Sequence, residues 1–346
     1  MPHRWVSACS AAVLLVSSPL AAQTAVGPVT VGAGLRTSYT HISPDEEDDV
    51  DKFALDSARI YVNGPVTSQI KFMFNTEYDG SSNKVGVLDA VARLEFSPKF
   101  NIWMGRFLPP SDRANLYGPY YAHHWGVFTD GIQNGHPFVF QGRDNGVAYW
   151  GDFGKVKLSG GAFDGESASG DPDVLGAARI QIDFWEKETG YYLNGTYYGA
   201  RNLLGVGAAI QAQSGNTAST VDFLLEKKVG SGGAAFTIES EYANYDKLGG
   251  YDANYPSSEG AYILGSYLFP KPASGAGQFE ILGKYAHATF SKSDTLEDYD
   301  QDTTEINFNY LIKEFNARLM FFFINTNYSA VKTDGNRFGV GLQIQM

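Results

Sequence analysis

Arg36, Arg59, Lys71, Arg93, Arg106, Arg143 and Arg179 recur along the first half of this 346-residue chain, most of them where polar and apolar neighbours alternate. In a strand such alternation sends every second side chain to a wet face, so these cations share one wall. A row of guanidinium and ammonium groups facing water attracts anions. The same groups have a bracing use, because Glu77, Asp89, Glu95 and Asp183 stand on nearby strands and can form cross-strand ion pairs with them. The later wet-face positions are of opposite sign: Asp222, Glu226, Glu239, Glu241, Glu280 and Glu305. If both sets face one lumen, a transverse field results, which orients dipolar solutes and gives weak ion selectivity.

Between the two sets lies Leu108–Gln141, too long for a simple connection and therefore a candidate functional loop. It carries Tyr117, Tyr120, Tyr121, His123, His124, Trp125, Phe128, Phe138 and Phe140, but only one permanently charged base, Arg113. Its rings offer a stacking surface for sugars or aromatic acids, or alternatively pack the loop against a wall. The adjacent histidines lack a third ligand, so no metal site is expected there. Asp298, Asp300 and Asp302 start like a calcium loop, but Thr303 stands where glycine is required, and a solvated acidic loop is the better reading. Asp45–Asp51 reads the same way. No Gly-x-Ser-x-Gly elbow, His-Glu-x-x-His pair or phosphate loop occurs, and His287 has no evident nucleophile beside it, so no enzyme activity and no cofactor are expected.

The elements that position these residues are strands. Gln69, Lys71, Met73, Asn75 and Glu77 alternate with Ile70, Phe72, Phe74, Thr76 and Tyr78. Asp89, Val91, Arg93 and Glu95 alternate with Leu88, Ala90, Ala92 and Leu94, and Arg179, Gln181 and Asp183 with Ile180 and Ile182. The pattern runs to the last residue, where Gln343 and Gln345 alternate with Ile344 and Met346. Charged residues are 18% and aromatics 14%, with 21 Tyr and 23 Phe. So many rings at so low a charge suit a wall facing lipid, with Tyr and Trp at the interfaces. With no helical segment to cover an edge, closure is the natural way to remove edges. The expected fold is all-β, a transmembrane antiparallel barrel of about sixteen strands with Leu108–Gln141 folded inward.

Seventeen strand-like segments can be marked, among them Gly190–Gly199, Leu204–Ala212 and Thr220–Lys227. A barrel with both ends on one side needs an even number, so one segment between Gly190 and Lys227 is not a strand. Tight connections such as Gly64–Ser68, Ser97–Lys99, Gly151–Gly154 and Lys313–Phe315 fit periplasmic turns. Long ones, His41–Lys52, Leu108–Gln141, Asp246–Glu259 and Ser291–Thr303, fit surface loops.

Compartment follows from the N-terminus. Met1–Arg4 is basic, Trp5–Val16 is apolar and too short to span a bilayer, and Pro19-Leu20-Ala21-Ala22 resembles a signal-peptidase site. Residues 1–22 are read as a cleaved signal peptide and 23–346 as the barrel, placing the protein in the outer membrane of a Gram-negative bacterium. The one cysteine, Cys9, lies in that signal, which excludes disulfides and thiolate metal sites from the mature chain. The net charge of −12 makes nucleic acid an unsuitable partner.

Phe53–Pro110 resembles the phosphate-selective porin O and P family. The resemblance rests on Ala58-Arg59-Ile60 with Gly64, then Lys71 and Glu77, Asp89-Ala90, Ser97-Pro98 and Gly105-Arg106-Phe107-Leu108-Pro109-Pro110 in that order, followed by Gly142-Arg143-Asp144-Asn145-Gly146-Val147. It implies a sixteen-stranded homotrimeric channel for passive diffusion of small hydrophilic solutes or ions, including anions such as phosphate, set in lipid and lipopolysaccharide. Arg59, Lys71, Arg93, Arg106, Arg113, Arg143 and Arg179 are the candidate pore-lining and solute-binding residues. The contrasting reading is a barrel with a filled lumen serving as an adhesin or a structural or binding protein.

Overall fold

The computed structural model describes residues 28–132, 142–165, 173–275 and 277–346. The proposed signal peptide, together with Phe138 and Phe140, lies outside the described residues. Sixteen strands follow one another: β1 (Thr30–Pro44), β2 (Val50–Pro65), β3 (Ile70–Asp79), β4 (Lys84–Ser97), β5 (Phe100–Phe107), β6 (Asp144–Asp152), β7 (Val156–Phe163) and β8 (Leu175–Asp183). The second half comprises β9 (Leu203–Gln213), β10 (Asn216–Val229), β11 (Ala234–Asp246), β12 (Ser257–Leu268), β13 (Gln278–Ser291), β14 (Tyr299–Lys313), β15 (Ala317–Tyr328) and β16 (Gly335–Gln345). Each pairs antiparallel with its sequence neighbour, and β1 pairs with β16, closing the barrel. Closure leaves no strand edge unpaired, which an all-strand wall in lipid requires.

The alternation of the sequence becomes the two faces of the wall. On β8, Arg179, Gln181 and Asp183 are buried inside, while Ile180 and Ile182 are exposed. On β16, Gln343 is fully covered and Ile344 is 47% exposed. Phe74, Met104, Ile263, Ile306 and Phe321 are likewise exposed, so the outer surface is a continuous apolar band. An exposed apolar surface of this extent is unfavourable in water and suited to hydrocarbon.

Two expectations are corrected. Gly190–Gly199 is not a strand; it belongs to the connection 184–202 between β8 and β9, which removes the odd count. Leu88, expected to face outward, is 1% exposed on the inner side, next to an equally covered Asp89. A bulge in β4 causes this, since Asn75 pairs with Asp89 and Thr76 with Val87, leaving Leu88 as the extra residue.

Candidate functional site

The lumen is organised around one short helix, α1 (Arg113–Tyr121), in the connection between β5 and β6. Asp112 caps its start by accepting a hydrogen bond from the Asn115 amide at 3.0 Å. Gly118, at φ 61°, precedes Pro119 and kinks it, and the chain leaves the helix at Ala122. The carbonyls at that end are met by the opposite wall. Arg318 of β15 donates to Ala122 O at 2.5 Å and Tyr120 O at 3.3 Å, and Gln343 of β16 donates to Tyr120 O at 2.9 Å. A cation and an amide thus satisfy acceptors that a helix end leaves open. Two residues without a β-carbon make room: a Cβ on Gly34 would lie 2.7 Å from the Tyr120 ring, and one on Gly341 2.2 Å from Trp125. Trp125 is stacked on Phe322 at 5.6 Å, with the Arg36 guanidinium 4.1 Å from its ring centre.

The acidic residues of the second half hold this segment in place. Tyr117 and Tyr262 both donate to Glu239, at 2.7 and 2.6 Å. His123 Nδ1 lies 3.1 Å from Glu280, and His124 Nδ1 lies 3.0 Å from Glu305, which also accepts from the Gly126 amide. Lys284 meets Asp130 at 2.6 Å. Glu239, Glu280 and Glu305 are almost wholly covered. The bare negative wall expected from their spacing is therefore replaced by a docking surface for the inward segment.

A second segment also turns inward, one that the strand-like pattern of Gly190–Gly199 conceals. Residues 184–202 enter the lumen from the end of the barrel where β1 begins and β16 ends. Glu188 accepts from both terminal nitrogens of Arg113, from Gln181 at 2.7 Å and from Tyr197 at 2.9 Å. Backbone bonds join the two segments directly, Leu193 N to Leu116 O at 3.3 Å and Gly195 N to Tyr121 O at 3.0 Å. The surplus strand in the count was the available signal; the tyrosines of Gly190–Gly199 are here because they fill the lumen.

The candidate cations divide into distinct groups. Arg59 is held by Glu77 at 2.9 Å beneath the Tyr120 ring, and Arg143 by Asp89 at 3.3 Å. Lys71 and Arg93 both face Glu95, at 2.6 and 3.7 Å. Arg113 and Arg179 converge on Asp222 where the two inward segments meet and are nearly inaccessible. Arg106 does not join them. It shares the outward strand phase of Ile102 and Met104 and donates to the Val87 carbonyl, so the expectation that it lines the pore is corrected. His287, also on the outer side, has Asp302 at 3.0 Å, and Tyr285 donates to the same carboxylate. Among the described residues no group of three or more His, Cys, Asp or Glu could hold a metal.

The inward segments leave a cavity of about 570 Å³ against β1–β4, bordered by Arg59, Asn75, Asp89, Tyr117, Arg143 and Tyr192. Thr30, Asn63 and Met346 also border it, so it lies towards the end of the barrel where β1 begins and β16 ends.

Docking of both segments is expected to depend on pH. Burial alone would raise the Glu188 carboxyl, but the charge and hydrogen bonds of Arg113 outweigh it and hold it below its ordinary 4.5. Its stabilisation is complete above that value and is lost as pH falls through the lower folded value. Burial would lower the His123 imidazole, yet Glu280 and then Glu239 hold it above its ordinary 6.5. That stabilisation is complete below 6.5 and is lost as pH rises through the raised value. Burial and Lys284 push His124 the other way, so its neutral form stabilises docking above 6.5 and is undermined in acid. Protease resistance of the inward segments is therefore expected to peak near pH 6.5. His123→Gln should flatten the alkaline limb; a limb unchanged in that variant contradicts the assignment.

No family model matches the sequence, and no curated protein matches it. Solved structures do match in shape. OprB of Pseudomonas putida, in its high-pH structure, superimposes with a TM-score of 0.65 at 8% identity, over 92% of this chain and 94% of that one. A loop-L8 deletion mutant of the Vibrio cholerae outer-membrane protein OmpT gives 0.59 at 14%, over 93% and 100%. The anion-selective porin of Comamonas acidovorans gives 0.57 at 14%, over 92% and 99%. The chain is a closed sixteen-stranded antiparallel β-barrel that resembles several outer-membrane porins in fold.

Proposed function

We propose that this protein is an outer-membrane porin through which small hydrophilic solutes diffuse. The observation that carries the reading is the cavity left open against β1–β4 after two inward segments have narrowed the lumen of a barrel with an apolar outer face. A filled structural barrel gains nothing from a space bordered by charged and hydrogen-bonding side chains. Planar-bilayer recordings of the refolded chain test it: discrete conductance steps are expected, and their absence at high protein load supports the filled adhesin-like barrel instead.

The finer reading concerns ions. The cations that border the cavity each have a carboxylate partner, Arg59 with Glu77 and Arg143 with Asp89. An ion pair presents a dipole instead of a net charge, which favours neither ion strongly. Reversal potentials in a salt gradient are expected to lie near zero. Steep anion selectivity, with phosphate blocking chloride current, would restore the phosphate-selective reading that the first half of the sequence suggests. Assembly as a homotrimer belongs to the same proposal and is read from the mass of the detergent-solubilised protein.

A further inference from the structure

We propose that the cavity against β1–β4 is a binding subsite for neutral polyhydroxylated solutes, the chemistry of a mono- or disaccharide. The inference rests on the porin reading and names its substrate class. Three observations carry it. First, the charges are internally compensated. Asp89 is engaged by Asn75 at 2.8 Å, by Arg143 at 3.3 Å and, more loosely, by the Tyr192 hydroxyl at 3.5 Å. An incoming anion must compete with resident carboxylates for Arg59 and Arg143, whereas a neutral hydroxyl adds to the existing network without displacing a charge.

Second, the walls carry polar side chains of the kind that read hydroxyl groups. Tyr61, whose hydroxyl is hydrogen-bonded to Arg59, and the carboxamides of Asn63, Asn75 and Asn194 border the cavity. A phenol hydroxyl both donates and accepts, and a carboxamide does so through separate atoms, so the set matches a ligand that both donates and accepts.

Third, the remaining lining alternates rings with aliphatic side chains: Tyr117, Tyr121 and Tyr192 beside Leu88 and Leu116. The C–H face of a sugar ring packs on such a surface while its rim of hydroxyls reaches the polar atoms. The volume lies within the range of small-molecule sites, about 300–1,000 Å³.

The experiment uses the full refolded chain and two readouts. In planar bilayers, maltose is expected to reduce the channel current saturably, with phosphate and benzoate at equal concentration without comparable effect. Tyr61→Phe and Asn75→Ala are each expected to raise the half-blocking maltose concentration about fivefold, the scale of one hydrogen bond. Conductance that maltose leaves unchanged, or that phosphate blocks instead, overturns the subsite while the porin reading stands. Should the wild-type chain show no conductance, the porin reading falls, and saturation-transfer NMR of maltose on the detergent-solubilised barrel decides the subsite separately. Transfer that weakens in both variants supports it; no transfer, or displacement of maltose by phosphate, overturns it. Unchanged heat-modifiable migration on gels shows that each variant retains the barrel.

Discussion

Replacing Arg318 by Ala is expected to free the constriction segment while leaving the barrel closed. The guanidinium is fully covered and serves four acceptors: Ala122 O, Tyr120 O, the Tyr198 hydroxyl at 3.0 Å and Gln343 Oε1 at 2.8 Å. Three of these lie on the two inward segments and one on the wall, so a single side chain fastens both segments to β15 and β16. Its removal leaves the end of α1 without its cation and several covered oxygens without a donor. Hydrogen bonds to a charged group contribute roughly 1.5–3 kcal/mol each, and an abandoned covered acceptor costs a similar amount. A net loss of docking of about 3 kcal/mol or more is therefore expected. Single-channel conductance should rise, and a protease should cut within residues 113–126 in the variant but not in the wild type. The strand ladders do not involve this side chain, so heat-modifiable migration should persist. Wild-type conductance and protease resistance in Arg318→Ala would show that the wall holds the segment by other contacts.

The second large effect is expected at the clamp between the inward segments. Arg113 and Glu188 are each almost completely covered and joined through both terminal nitrogens. Removing one partner of such a pair leaves a covered charge without compensation, a loss of about 3–5 kcal/mol. Arg113→Ala strands Glu188 beside Asp183 and strips one of two cations from Asp222; Glu188→Ala strands Arg113. Removing both relieves each residual charge, so the double variant is expected to be less disturbed than the sum of the singles. Protease cutting in residues 184–202 and conductance steps provide the two readings of this cycle. Additive effects would place Arg113 and Glu188 in independent roles.

Much of the architecture was legible because its cause is local. A two-residue period in Arg179–Asp183 or Gln343–Met346 decides which side chains meet lipid wherever the strand ends up, and tight turns such as Ser97–Lys99 then fix antiparallel order. The bracing use of the cations was legible as well: Arg59 with Glu77 and Lys71 with Glu95 are pairs on adjacent strands joined by a short connection. Leu88 escaped because a bulge shifts register without altering the apolar pattern around it.

The sequence by itself determined a closed wall with one apolar and one polar face, the charged residues available to that polar face, and a long connection after β5. Only the tertiary structure decided what the charges do. His123 meets Glu280 from 157 positions away, Arg318 caps a helix 196 positions earlier, and Glu188 finds Arg113 across 75. Such partners are chosen by closure of the ring, which brings β11–β16 round to face a segment that leaves after β5. The acidic half of the wall, read alone, resembles an exposed electrostatic surface; once covered, it becomes the seat of the constriction. The reason is physical: the strength of a charge depends on whether water or a partner surrounds it, and that surrounding is made by contacts that chain spacing does not encode.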